Sequence, residues 1–346
     1  MINYFCSVNS ARGYVTYLSN NLEGLRSYLV KGVNFKPVEE RILSLWQDDD
    51  LELIRNPFVP SGYEAIINRD RGVAAVFDIN QGNDIEYEGI FDMYDTLKCE
   101  KMCKYIDIIA GLVNDRAQLI DRAYIYLNKA LRVHDEWEKI YIKNMNFDKA
   151  DIIATRLTGL LLKDMNLDKR AEERHRFLGG LTPQGAVDYI DNLTAEVNKR
   201  YFIKGRPGTG KSTIMKKIAS ASLKRGFNTE IYHCGFDPES LDMLIMRELG
   251  IAIFDSTAPH EYFPTRESDE IVDVYNEAVK PETDDKNQAE LNEIQFRYQS
   301  FVSAGKAYLI NASALNGEIL NYHLSLTDNE CLDEFIEKII DEINAP

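Results

Sequence analysis

Tyr201-Phe202-Ile203-Lys204-Gly205-Arg206-Pro207-Gly208-Thr209-Gly210-Lys211-Ser212-Thr213 is the stretch on which the fold turns. A short apolar run opens into a glycine-rich turn, and residues 212 to 223 then carry apolar side chains at helical spacing up to a stop at Gly226. That is strand, loop, helix. From Gly205 to Ser212 the turn fits G-x-x-x-x-G-K-[ST] at every specified position, the phosphate-cradling P-loop or Walker A pattern. Glycines there let backbone N–H groups turn inward to phosphate oxygens, and the next helix presents the positive end of its dipole. Lys211 then offers a point charge to the β- and γ-phosphates, Ser212 a hydroxyl to Mg2+, and Thr213 a donor near the α-phosphate. Arg206, Pro207 and Thr209 fill the variable positions, with Arg206 placed to touch phosphate or to face solvent.

Further along, Glu230 to His233 reads as a strand. Asp237 and Pro238 read as the N-cap and first position of a helix running to about Leu249, and Ile251 to Phe254 as a buried parallel strand. Asp255, at the carboxyl end of that strand, is the acid expected to hold the water shell of the metal, the Walker B pattern. Asp255-Ser256-Thr257 has no glutamate after the aspartate, so fast hydrolysis is not assured by a neighbouring acid. His260, Glu261 and Arg266 lie just beyond, where loops at the carboxyl ends of strands meet ligands, and Asp237 and Asp242 are weaker candidates for substrate contact. No N-K-x-D guanine motif follows the loop, which leaves ATP as the expected nucleotide.

The chain echoes itself. Phe5 to Gly13 has the spacing of Phe177 to Gly185, and Tyr28-Leu29-Val30-Lys31-Gly32 matches Tyr201-Phe202-Ile203-Lys204-Gly205. Phe58, Pro60, Arg69 and Gly72 fall on Phe236, Pro238, Arg247 and Gly250 without a gap, and after one gap Phe77-Asp78 falls on Phe254-Asp255. Three segments in the same order imply a duplication with a boundary close to residue 172. The expected fold is α/β: two tandem related P-loop NTPase-like domains, 1–172 and 173–346, each a mostly parallel sheet flanked by helices with a helical extension. Ala117 to Lys143, Gln288 to Asn321 and Cys331 to Ile343 supply those extensions, while the acidic segment Lys280 to Asn287 reads as a solvated surface loop.

The two copies differ at the loop. Where the second half has Gly208, Gly210, Lys211 and Ser212, the first has Phe35, Pro37, Val38 and Glu39. Phe35 and Pro37 lack the backbone freedom of glycine, and Glu39 would repel phosphate where a metal ligand is expected. Asp78 keeps the Walker B position but binds no nucleotide alone, so the first half is expected to be a degenerate copy that lacks Walker A. It could serve as a packing partner, or deliver Arg69 or Arg71 to the second half's γ-phosphate.

Composition narrows the partners. With 346 residues, 45% hydrophobic and 28% charged, the chain is a folded protein long enough for two domains. A net charge of −16 argues against a surface built for nucleic acid. No run approaches the roughly 20 apolar residues a membrane span requires, and the start has no signal-peptide pattern, so a cytoplasmic protein without membrane partners is expected. Cys6, Cys99, Cys103, Cys234 and Cys331 are odd in number and read as reduced thiols; no four-ligand zinc spacing occurs, even with His233 beside Cys234.

Lys204 through Thr213, His233-Cys234-Gly235-Phe236-Asp237-Pro238 and Phe254-Asp255-Ser256-Thr257-Ala258-Pro259-His260 together resemble a poorly characterised group of bacterial tandem P-loop ATP-binding proteins. The likeness spans essentially the whole chain, and it implies duplicated P-loop domains sometimes labelled ATPase or nucleotide kinase. The first half departs from the group's pattern, which would put a P-loop after Lys31-Gly32. The function expected is an ATP- and Mg2+-binding protein with ATPase activity at one site, catalysed through Lys211 and Asp255. A small-molecule or nucleotide kinase and an ATP-sensing interaction protein need the same loop and stand as alternatives.

Overall fold

The computed structural model describes residues 1–78, 85–257 and 261–345. Its first half runs β1 (Ile2–Tyr4), β2 (Ser7–Ser10), β3 (Gly13–Thr16), α1 (Leu18–Leu22), β4 (Arg26–Lys31), α2 (Lys36–Leu45), β5 (Leu51–Arg55), β6 (Tyr63–Asn68), β7 (Val73–Asp78), β8 (Gly89–Asp92), α3 (Cys99–Met102), α4 (Ile106–Ile142) and α5 (Phe147–Leu162). The second half repeats the series as β9 (Glu173–Phe177), β10 (Gly179–Thr182), β11 (Gly185–Asp188), α6 (Ile190–Leu193), β12 (Lys199–Lys204), α7 (Lys211–Lys224), β13 (Thr229–His233), β14 (Leu241–Met246), β15 (Ile251–Asp255), β16 (Glu270–Asp273), α8 (Val274–Ala278), α9 (Thr283–Lys286), α10 (Gln288–Leu326) and α11 (Asn329–Asn344).

Both halves build a six-stranded sheet of one order, β1-β5-β6-β7-β4-β8 and β9-β13-β14-β15-β12-β16. In each sheet five strands run one way, while β6 or β14 runs against its two neighbours. The helix expected from Asp237 to about Leu249 is therefore a strand. Ser240 N–H donates to the Asp237 carbonyl at 2.9 Å, closing a turn rather than opening a helix, and all six residues of β14 are buried. Leu241, Leu244 and Met246 pack toward the helices outside the sheet, and Met243 and Ile245 toward the other sheet. A short run apolar on both faces carries no helical or strand period, and its central place in the sheet decided the outcome.

The two sheets share one core. Leu29, Ile54, Ile67 and Val76 of the first pack with Phe202, Tyr232, Ile245 and Phe254 of the second. Arg176, fully buried at this junction, lies 3.1 Å from Glu52 and 3.2 Å from Glu230, with its guanidinium over the Tyr4 ring at 4.0 Å. Each carboxylate also holds an arginine of its own half, Arg69 on Glu52 and Arg247 on Glu230. Burial alone would raise the Glu52 pKa; Arg176 and Arg69 overcome it and hold the carboxyl down to about 2.

Terminal helices are exchanged between the halves. The apolar stripe of α5, including Ile153, Leu157 and Leu161, joins Ile214 and Ile218 of α7 over the second sheet. The stripe of α11, Leu332, Ile336, Ile339 and Ile343, covers Val38 and Ile42 of α2 on the first. Matching hydrogen bonds pin the crossovers: Asn146 N–H to the Ala278 carbonyl at 2.7 Å and Asp328 N–H to the Thr96 carbonyl at 2.9 Å. The helices α4 and α10, with 37 and 39 residues, carry the chain across, each about 55–60 Å long. They pair antiparallel and approach tightly at Gly305, where an added Cβ would come 2.9 Å from the Leu127 side chain. The repeat boundary falls in the connection after α5, but neither sheet is covered by its own half alone.

Candidate functional site

The loop from Gly205 to Gly210 leaves the carboxyl end of β12 and enters α7 at Lys211. Gly208 at φ +76° and Gly210 at φ +80° occupy the left-handed region, which explains glycine at both positions. Thr209, buried, braces the turn: its hydroxyl donates to the Arg206 carbonyl at 2.8 Å and accepts the Arg206 N–H at 3.2 Å. Lys211 is 8% exposed; its ammonium donates to the Arg206 carbonyl at 2.9 Å and lies 3.4 Å from the Asp255 carboxylate. Ser212 Oγ accepts the Leu241 N–H at 2.9 Å, which leaves its second lone pair available. Asp255 ends β15, the strand beside β12, and accepts the Thr257 hydroxyl. Thr213 stands exposed on the first turn of α7, and Pro207 lines the cavity above the loop.

That cavity measures about 1210 Å3. Its floor is the loop, and its roof is supplied by α4 of the first half and α10 of the second, with Trp137 and Tyr298 in edge contact at 6.0 Å. Gly208 is pressed against α4 so closely that a Cβ there would meet the Glu138 carbonyl oxygen at 2.7 Å. Glu138 lines the cavity beside the loop, and its Cβ would lie 3.0 Å from one added at Gly208. Burial raises the carboxyl of Glu138 above its ordinary range, helped by Asp135 and Asp237 and opposed by Lys211. His134, one turn earlier, lies 3.9 Å from Glu138, and burial keeps its pKa below the ordinary value.

Several sequence expectations are corrected. Arg206 is exposed and lines the cavity, with its guanidinium paired to Asp284 at 3.0 Å and lying over Tyr275. The acidic segment 280–287 is therefore more than a solvated face, since Asp284 also accepts the Tyr141 hydroxyl of α4 at 2.9 Å and lines the cavity. Asp237 caps no helix but binds Arg12 at 2.7 Å. Arg69 and Arg71 are committed to Glu52 and Asp49 and do not line the cavity at the loop. Arg266 is spent on the Val197 and Thr194 carbonyls. Glu261 lies 3.9 Å from Lys204, half exposed, and His260 falls outside the described residues with Ala258 and Pro259. Asp242 is buried and lines the cavity.

The first half fills the equivalent place differently. Glu39 Oε1 accepts the Tyr63 N–H at 2.9 Å, the counterpart of Ser212 accepting from Leu241. Val38, in the position of Lys211, is fully buried against α11, and Phe35 packs on Phe77 at 5.6 Å. Burial pushes the Glu39 carboxyl up to about 7. Apolar side chains thus occupy the space that the second half keeps open.

Sequence reasoning missed His134, Trp137, Glu138 and Tyr298. The only local hint was the spacing of His134 and Glu138, one turn apart on a helix face. No helix among the described residues is long and apolar enough to cross a membrane. No protein-family model matches the chain, and no curated protein or solved structure matches it either.

Proposed function

We propose that the chain is an ATPase of the P-loop class with one nucleotide site per chain, at Gly205 to Thr213, and a first half that binds none. The observation that carries this reading is the contrast between the two loops: an open one with Lys211 3.4 Å from Asp255, and a closed one with Val38 and Glu39 buried in the same positions. Backbone N–H groups of the loop would take the β- and γ-phosphates and the Lys211 ammonium would turn from the Arg206 carbonyl to them, worth more in a partly desolvated site than in water. Ser212 Oγ and Asp255, both hard oxygen donors, suit Mg2+, which would neutralise charge on the phosphates. The likeness to tandem P-loop ATP-binding proteins supports the same reading.

One observation favours a second reading. The cavity of about 1210 Å3 exceeds the roughly 300–1,000 Å3 of ordinary small-molecule sites, room for a phosphoryl acceptor beside the nucleotide. Calorimetric titration of wild type and Lys211→Ala with Mg-ATP tests the site. Equal affinity in the two sinks the proposal. Phosphate release counted with and without a panel of metabolites separates ATPase from kinase, a labelled metabolite product favouring the kinase.

A further inference from the structure

The expected water-activating acid is missing next to Asp255, where Ser256 and Thr257 follow. A carboxylate does reach the loop, from the other half of the chain. Glu138 of α4 lines the cavity together with Lys211 and packs on Gly208, the fourth position of the loop, where an added Cβ would lie 3.0 Å from its own. Its backbone is so close that only glycine fits at 208. Two further ties hold α4 in place there. Tyr141 donates to Asp284, which in turn binds Arg206 of the loop at 3.0 Å, and Glu136 pairs with Arg297 of α10 at 2.7 Å. A carboxylate so fixed beside a phosphate cradle is pre-organised in a way that an exposed surface acid is not.

We propose that Glu138, delivered by the first half, is the general base for phosphoryl transfer at the second half's loop. The proposal rests on the ATPase reading above. With phosphates held by the loop N–H groups, the Glu138 carboxylate stands on the cavity side of the loop beside the terminal phosphate. A water oxygen then bonds to the γ-phosphorus while Glu138 takes its proton. The bond from that phosphorus to the β–γ bridging oxygen breaks, the electron pair stays on the departing ADP, and the proton passes from Glu138 to solvent. A first half without a nucleotide site of its own thereby contributes to the one that remains.

Glu138→Gln separates this role from binding. Single-turnover cleavage of Mg-ATP should fall at least about a hundredfold, the usual contribution of a general base, while calorimetric affinity for Mg-ATP stays equal or tightens because a neighbouring anion has gone. Glu138→Asp should retain part of the rate, and Asp115→Asn, exposed on the same helix, should cleave within about threefold of wild type. Cleavage by Glu138→Gln within about threefold of wild type, with binding intact, overturns the proposal. So does a wild-type protein that binds Mg-ATP and leaves it uncleaved, although the nucleotide site would then stand. Failure of wild type to bind Mg-ATP overturns both.

Discussion

Glu39→Gln is expected to stabilise the protein above neutral pH and to do nothing for it in acid. Glu39 is 6% exposed, and its carboxyl rises from an ordinary 4.5 to about 7, chiefly because burial penalises the charged form. Between those values the native state binds a proton that the unfolded chain has released. The stability associated with the neutral carboxyl is therefore complete below about pH 4.5 and is lost as pH climbs through about 7. The full difference corresponds to about 3 kcal/mol. Glutamine removes the titration yet keeps an oxygen for the Tyr63 N–H, now 2.9 Å from Glu39 Oε1. Urea denaturation at a series of pH values from 4.5 to 8.5 should show coincident curves at the acid end and a gap opening to about 3 kcal/mol at the alkaline end. Mg-ATP affinity should not change. A stability difference independent of pH, or a variant weaker than wild type at pH 8, would refute the reasoning.

Other perturbations separate the remaining contacts. Gly208→Ala forces a Cβ to within 2.7 Å of the Glu138 carbonyl at a φ of +76°, and should cost about 1–3 kcal/mol in urea denaturation through strain alone. Arg176→Met removes the fully buried cation that Glu52 and Glu230 share and should cost about 3–5 kcal/mol in urea denaturation. Removing residues 329–346 deletes α11 and uncovers the apolar face around Val38 and Ile42. Hydrogen exchange should then speed up in β4 to β7 of the first half before it does in the second-half sheet; uniform loss of protection would count against the exchanged arrangement.

Much of the candidate site was legible because its elements are local. The glycines at 208 and 210, the lysine and serine after them and the aspartate closing β15 are each fixed by backbone chemistry within a few residues. The duplication was legible too, since Phe5 and Phe177, Arg69 and Arg247, and Phe77 and Phe254 keep their order, with short gaps between the matching segments. The strand at Leu241–Met246 was not, because a run buried on both faces has neither period to read.

The sequence by itself determined where a glycine-rich turn joins strand to helix, that the first half does not repeat its glycines, and that long helices end each half. Tertiary structure alone decided what those helices cover. An apolar stripe says that a helix must bury one face, without saying against which sheet, and the pairing of α4 with α10 sends α5 and α11 to the opposite halves. The same pairing lays Glu138 on Gly208, 70 residues further along the chain, a contact that no spacing along the sequence could encode.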